Sequence, residues 1–140
     1  MSNKPTKDAV SLVIKNLDGR VLFARRSPSK REFPGVWSLP SAFVLGDEGQ
    51  LDAVKRIGEE KLGVTLRLGQ MIIEGKKERD GFILFMHNYE AKILEGIPNV
   101  VSDDYTELKW EEPNVQFAKM KSGDMGMCMT LLKQHYAKRN

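Results

Sequence analysis

GDEGQLDAVKRIGEEKLGV, residues 46 to 64, sets a helix between two turns in a chain that is otherwise mostly extended. Gly46 to Gly49 is a polar turn. A helix follows from about Gln50 to Leu62, and Gly63 is a good C-terminal stop, because glycine accepts the left-handed backbone that ends a helix. An advance of about 100° per residue sorts the side chains by face. Leu51, Val54, Gly58 and Leu62 form one narrow stripe, the expected core face. Lys55 and Glu59 flank it and read as solvated. Ala53, Ile57, Glu60 and Lys61 gather on another face, with Ile57 about 100° from the middle of the core stripe. Taken alone, the stretch is a plain amphipathic helix closed by Gly63.

The flanks are extended. Val10 to Lys15 alternates as a strand, Asn16-Leu17-Asp18-Gly19 supplies a turn, and Val21 to Arg25 is expected to pair back as a second strand. Trp37 to Val44 is extended and interrupted at Pro40. Val64 to Glu74 and Phe82 to Ile93 read as long strands around the polar turn Lys76 to Gly81. A loop from Ile97 to Asp104 precedes a short strand, Glu107 to Glu111. Ser122 is the expected N-cap of a last helix reaching about Ala137, with Met125, Cys128, Met129, Leu132 and Tyr136 near one face. Strands outnumber helices, and the two helices stand apart in sequence. The expected class is α+β, a mixed β-sheet sandwiched by helices, in a single domain over residues 1–140 with residues 1–7 flexible.

The stretch resembles the Nudix box, a loop–helix–loop whose glutamates hold Mg²⁺ against a diphosphate. Its pattern is Gly, five residues, Glu, seven residues, then Arg-Glu-apolar-any-Glu-Glu-any-Gly-apolar. Glu48, Arg56, Glu60, Gly63 and Val64 fall in register, while Ala42 replaces the opening Gly, Ile57 the first Glu after the Arg, and Lys61 the last. The family's three metal-binding glutamates, at i, i+3 and i+4, therefore read Ile57, Glu60, Lys61. Their formal charge goes from −3 to 0, which removes most of the attraction for a hard cation that takes oxygen ligands. The resemblance implies metal ligation by Glu60, with Glu48 and Asp104 as further ligands, and a structural role for Arg56 in bonding the loop before the helix. It implies Mg²⁺ or Mn²⁺ as cofactor where the chain is catalytic, and none otherwise.

Arg25-Arg26-Ser27-Pro28-Ser29-Lys30, followed by Phe33-Pro34-Gly35-Val36-Trp37, resembles the isopentenyl diphosphate isomerase branch of the same superfamily. There an Arg and the Lys bind the substrate diphosphate, which gives Arg26 and Lys30 that role by matching position. A guanidinium fork and an ammonium suit phosphate oxygens on chemical grounds as well. The isomerase chemistry does not transfer, since its catalytic Cys falls at Ala42. Phe33 and Trp37 serve as packing or as stacking platforms for a ligand ring.

Length and composition bound the rest. At 140 residues the chain can bury a core without staples, and its single cysteine excludes an internal disulfide and suits a reducing cytoplasm. No run approaches a membrane span. A net charge of +3 suits a phosphorylated small molecule and is a weak signal for nucleic acid. A second copy of the chain stands as an open partner. His87, His135 and Cys128 read as structural, and the methionines from Met120 to Met129 as adaptable packing.

Two readings of function stand together. One is a divergent Nudix-type phosphohydrolase acting on a nucleoside diphosphate derivative or similar diphosphate, with Glu60, Arg56 and Glu48 in the catalytic site and Arg26, Lys30 and Lys61 on the phosphates. The other is a non-catalytic module of the same fold that binds a diphosphate-containing ligand. An isomerase-like protein ranks below both.

Overall fold

A computed structural model describes residues 4–138. Asn16 builds the first turn: its Oδ1 accepts from the backbone N–H groups of Asp18 and Arg20, and Gly19 supplies a φ of 78°. The strands on either side of it, β1 (Thr6–Ile14) and β2 (Val21–Arg26), touch through a bridge at Lys15 and Val21 and then diverge into different sheets. This corrects the expected hairpin. β1 lies between β4 (Ser41–Phe43), antiparallel to it, and β6 (Ile83–Glu95), parallel to it; β5 (Thr65–Glu78) completes the order β4-β1-β6-β5. β2 sits between β3 (Trp37–Ser38) and β7 (Tyr105–Glu111) in an antiparallel sheet. Leu39 and Pro40 carry the chain from one sheet to the other, and the Pro40 carbonyl accepts from Leu12 N at 2.9 Å. β1 starts at Thr6, with Ile83 N donating to the Pro5 carbonyl at 2.8 Å, so Thr6 and Lys7 belong to the sheet. Met1 to Asn3, also expected flexible, lie outside the described residues.

β1 explains the layering. Ala9 and Val13 bury on one face against α3 (Met127–Lys138), while Val10, Leu12 and Ile14 bury on the other against α1 (Gln50–Arg56). A strand covered on both faces is apolar at successive positions, as β1 is from Ala9 to Ile14 except at buried Ser11. The mixed sheet is thus sandwiched by helices, as expected. A short α2 (Pro113–Ala118) was not expected; Glu112 caps it by accepting from Val115 N at 3.0 Å, and proline opens it. Ser122 opens a 3₁₀ turn, and extended Met125 separates that turn from α3.

After Arg56 the helix widens into an i→i+5 turn over Ile57–Leu62, closed by Gly63 at φ 69°. The wider turn changes the buried face. Ala53, Val54, Ile57, Gly58 and Leu62 are buried, whereas Leu51, expected in the core, is half exposed on the outside of the first turn. In the wider turn Leu62 joins Ala53, Val54 and Ile57 in one buried cluster. Gly58 permits the approach: a Cβ there would lie 2.8 Å from the Val64 carbonyl oxygen and 2.9 Å from Leu66 Cγ.

Candidate functional site

The loop Gly46–Gly49 is tied down by an arginine fork. Arg56 Nε and Nη2 donate to the two Glu48 carboxylate oxygens, each at 3.0 Å, and Nη2 also reaches the Phe43 carbonyl at 2.7 Å. The Leu45 N–H donates to Glu48 at 2.8 Å. These bonds, Arg56 first and Leu45 next, hold the Glu48 carboxyl below its usual range, and Glu48 in turn raises the Arg56 guanidinium. Both side chains carry the geometry of the loop.

One turn on, Lys61 occupies the mouth between the helix and β4. Its Nζ donates to the Ser41 carbonyl at 2.8 Å and pairs with Asp104 Oδ2 at 3.1 Å, with the Tyr105 ring 5.6 Å away. Burial pushes the Lys61 pKa down, opposed by Asp104, while Lys30 and Arg56 add to the fall. Asp104 takes a second cation on its other oxygen, Lys30. Burial opposes its ionisation, but the hydrogen bond from Lys30 and the pairing with Lys61 outweigh burial, so its carboxyl stays below the usual range. Tyr105, pushed up to about 12 by burial, accepts from Ser41 N at 2.9 Å and fixes the wall behind this cluster.

The loop after β2 closes the other side. Ser27 N donates to the Asp104 carbonyl at 2.9 Å, Lys30 N to the Ser27 carbonyl at 3.1 Å, and Arg26 Nε to the Glu32 carbonyl at 2.9 Å. Phe33 adopts a φ of 50°, rests against Gly126 and lies under Arg79, whose guanidinium is 5.9 Å from the ring and 3.3 Å from Glu32. Trp37 carries Lys109 over its ring at 4.4 Å.

All nine residues singled out from the sequence, Arg26, Lys30, Phe33, Trp37, Glu48, Arg56, Glu60, Lys61 and Asp104, border one cleft of about 1220 Å³. Ile57 does not border it; its side chain is fully buried with Val54 and Leu62. Glu60 is exposed at the cleft and makes no hydrogen bond or ion pair with a described residue. Sequence reasoning missed Arg79, Phe82 and the Ser41 carbonyl. Arg79 and Phe82 bracket a hairpin turn far from the box, and a backbone carbonyl leaves no signal in residue type. Elsewhere, buried His87 lies between Asp8, at 2.8 Å, and Glu74, at 3.0 Å, a satisfied structural position. Cys128 is buried in the cleft wall and its thiol pKa is raised by burial.

The residues do not fit the metal cluster implied by the resemblance. Glu48 gives both oxygens to Arg56, and Asp104 gives both to lysines. Among the described residues no three His, Cys, Asp or Glu side chains converge as a metal-holding group. Three carboxylates were proposed as ligands, and Glu60 is the one whose oxygens stay open.

Comparison with known proteins agrees with the fold. The chain is 26% identical over 106 residues to the CTP pyrophosphohydrolase of Escherichia coli (strain K12), covering 76% of each. It is 42% identical over 64 residues to the isopentenyl-diphosphate Delta-isomerase of Kocuria rhizophila, a match that spans 36% of that enzyme. The MutT protein of Methanosarcina mazei Go1 superposes with a TM-score of 0.81 at 20% identity, covering 100% of this chain and 99% of that one. No described helix is long and apolar enough to cross a membrane. The model of the NUDIX domain matches residues 5–124, and with the box helix and mixed sheet in place this chain belongs to the Nudix family.

Proposed function

We propose that the cleft binds a small molecule carrying a diphosphate, held by Lys30, Lys61 and Arg26, and that binding needs no divalent cation. The observation that carries this reading is the ammonium of Lys61, seated between the Ser41 carbonyl and Asp104 on the helix face where the family pattern places a carboxylate. Two oxygen ligands around a cation describe a small metal site; here the cation is covalently attached. Side-chain cations suit phosphate oxygens, through charge and through donated hydrogen bonds. Phe33, Phe43 and Phe82 on the apolar side of the cleft offer surface to whatever the diphosphate is attached to. Calorimetric titration of the full chain with inorganic pyrophosphate, in Mg²⁺ and then in EDTA, tests it. Equal affinity in the two buffers is expected, and loss of binding in EDTA refutes it.

A second reading, hydrolysis of a nucleoside diphosphate derivative, is favoured by the open carboxylate of Glu60 beside Arg56. Family membership and the pyrophosphohydrolase relative favour it too. Nudix hydrolases generally use divalent metals, and Mg²⁺ or Mn²⁺ belongs to this reading. It expects phosphate release from a panel of diphosphate compounds under a Mg²⁺ or Mn²⁺ titration, abolished in Glu60→Gln. The isomerase reading lacks its catalytic residue, because Ala42 lines the cleft where that branch carries its Cys.

A further inference from the structure

We propose that Asp104 is an internal stand-in for the ligand's phosphoryl group, occupying a two-lysine anion seat from which the ligand displaces it. The inference rests on reading the cleft as a diphosphate site and adds how that site is held closed to weak anions.

The geometry is that of a bridged anion. One Asp104 oxygen takes Lys30 and the other takes Lys61, with the Lys61 contact at 3.1 Å. Two terminal oxygens of a phosphoryl group offer the same bridge to two ammoniums. The three side chains border the cleft, and all are part-exposed, Lys30 at 33%, Asp104 at 29% and Lys61 at 15%, so a solute can reach them.

The Lys61 half of the seat survives the departure of its occupant. Lys61 stays anchored by the Ser41 carbonyl at 2.8 Å. The Asp104 main chain is held independently: its carbonyl accepts from Ser27 N at 2.9 Å, and its N–H donates to Ser102 Oγ at 3.2 Å. Displacement therefore needs rotation of one short side chain, with no movement of β7 or of the loop after β2. A carboxylate that keeps both lysines weakens phosphate binding through its charge alone, and it stays in place when the ligand binds. A stand-in makes it a competitor, because an arriving phosphate meets a carboxylate already bonded to the cations it needs.

Pyrophosphate affinity of the full chain, measured by calorimetry in EDTA, tests the competition, and the position of the Asp104 carboxylate in the ligand-bound crystal separates displacement from charge repulsion. Asp104→Asn is expected to bind about tenfold more tightly than the wild type, the order of effect of removing one like charge at a part-buried site. Lys61→Met is expected to bind at least tenfold more weakly, the loss of one charge-assisted contact. Equal or weaker binding by Asp104→Asn, with wild-type binding intact, overturns the stand-in and leaves the diphosphate reading standing. Absence of pyrophosphate binding in the wild type and in Asp104→Asn together overturns both. Binding by the variant alone supports the stand-in. Crystals of the wild type soaked with pyrophosphate provide a check independent of any variant's folding. A phosphoryl oxygen is expected on Lys61 Nζ with the Asp104 carboxylate turned away, and Asp104 still bridging both lysines in the ligand-bound protein refutes the inference.

Discussion

Ile57→Glu restores the first glutamate of the family pattern, and the structure makes it a destabilising change. Ile57 is fully buried between Val54 and Leu62 and packs with Val10, Leu12 and Ile14 of β1. Replacing it forfeits about 1.5–3 kcal/mol of transfer free energy. The introduced carboxyl, with no partner in that cluster, adds about 1–3 kcal/mol even when neutral. The sum is about 2.5–6 kcal/mol, a fall in melting temperature on the order of 10–20 °C for a domain of this size. The pH dependence is diagnostic. A carboxyl whose folded pKa is raised by burial destabilises above its unfolded value of about 4.3, increasingly as pH rises towards the folded value, by up to about 1.4 kcal/mol per unit. The deficit against wild type should therefore be smallest near pH 4.5 and grow towards pH 7.5. Thermal melts by circular dichroism at both pH values, with Mn²⁺ binding followed by electron paramagnetic resonance, provide the assay. A variant melting within about 2 °C of wild type that binds Mn²⁺ would refute the placement of position 57 in the core.

Gly58→Ala should cost about 1–3 kcal/mol in urea unfolding, because its Cβ would lie 2.8 Å from the Val64 carbonyl oxygen; an unchanged midpoint refutes the close approach. Arg56→Ala should speed amide exchange across residues 43–49, since the fork to Glu48 and the bond to the Phe43 carbonyl are lost, while amides of the β5–β6 hairpin keep wild-type rates. Asp104, with its folded pKa depressed, contributes stability above the ordinary carboxyl pKa, and that contribution is lost as pH falls through the folded value. The stability gap between wild type and Asp104→Asn should hold constant above about pH 5 and close below about pH 4; a gap of constant size at every pH counts against the lysine clamp.

The elements most legible in the chain were those whose signals are local. β5 and β6 follow from two long β-rich runs around a polar turn, and Gly63 ends the helix because its φ of 69° suits glycine. Arg56 was expected to bond the loop before the helix and does so, but its partner Glu48 was expected on a metal, and only the fold shows the fork between them. β1 and β2 were read as a hairpin because an Asx turn joins them, yet partner choice for a strand depends on distant strands that periodicity does not identify. Leu51 was placed in the core because a straight 3.6-residue period lines it up with buried Leu62, and the i→i+5 turn between them breaks that alignment.

Side-chain type and spacing survive in a linear string, so the family, the box helix and the cleft charges Arg26, Lys30, Glu48, Arg56, Glu60, Lys61 and Asp104 were legible there, although Arg79 was not. The tertiary structure decided what those charges do. Asp104 and Lys30 are 74 residues apart, and Lys61 joins Lys30 on Asp104 only where the loop after β2, the start of β7 and the widened helical turn converge. Charge roles depend on distance and burial, and both are properties of the folded chain. Ile57 and Lys61 looked alike as missing glutamates; folding sends the first into the core and turns the second into the cation at the centre of the site.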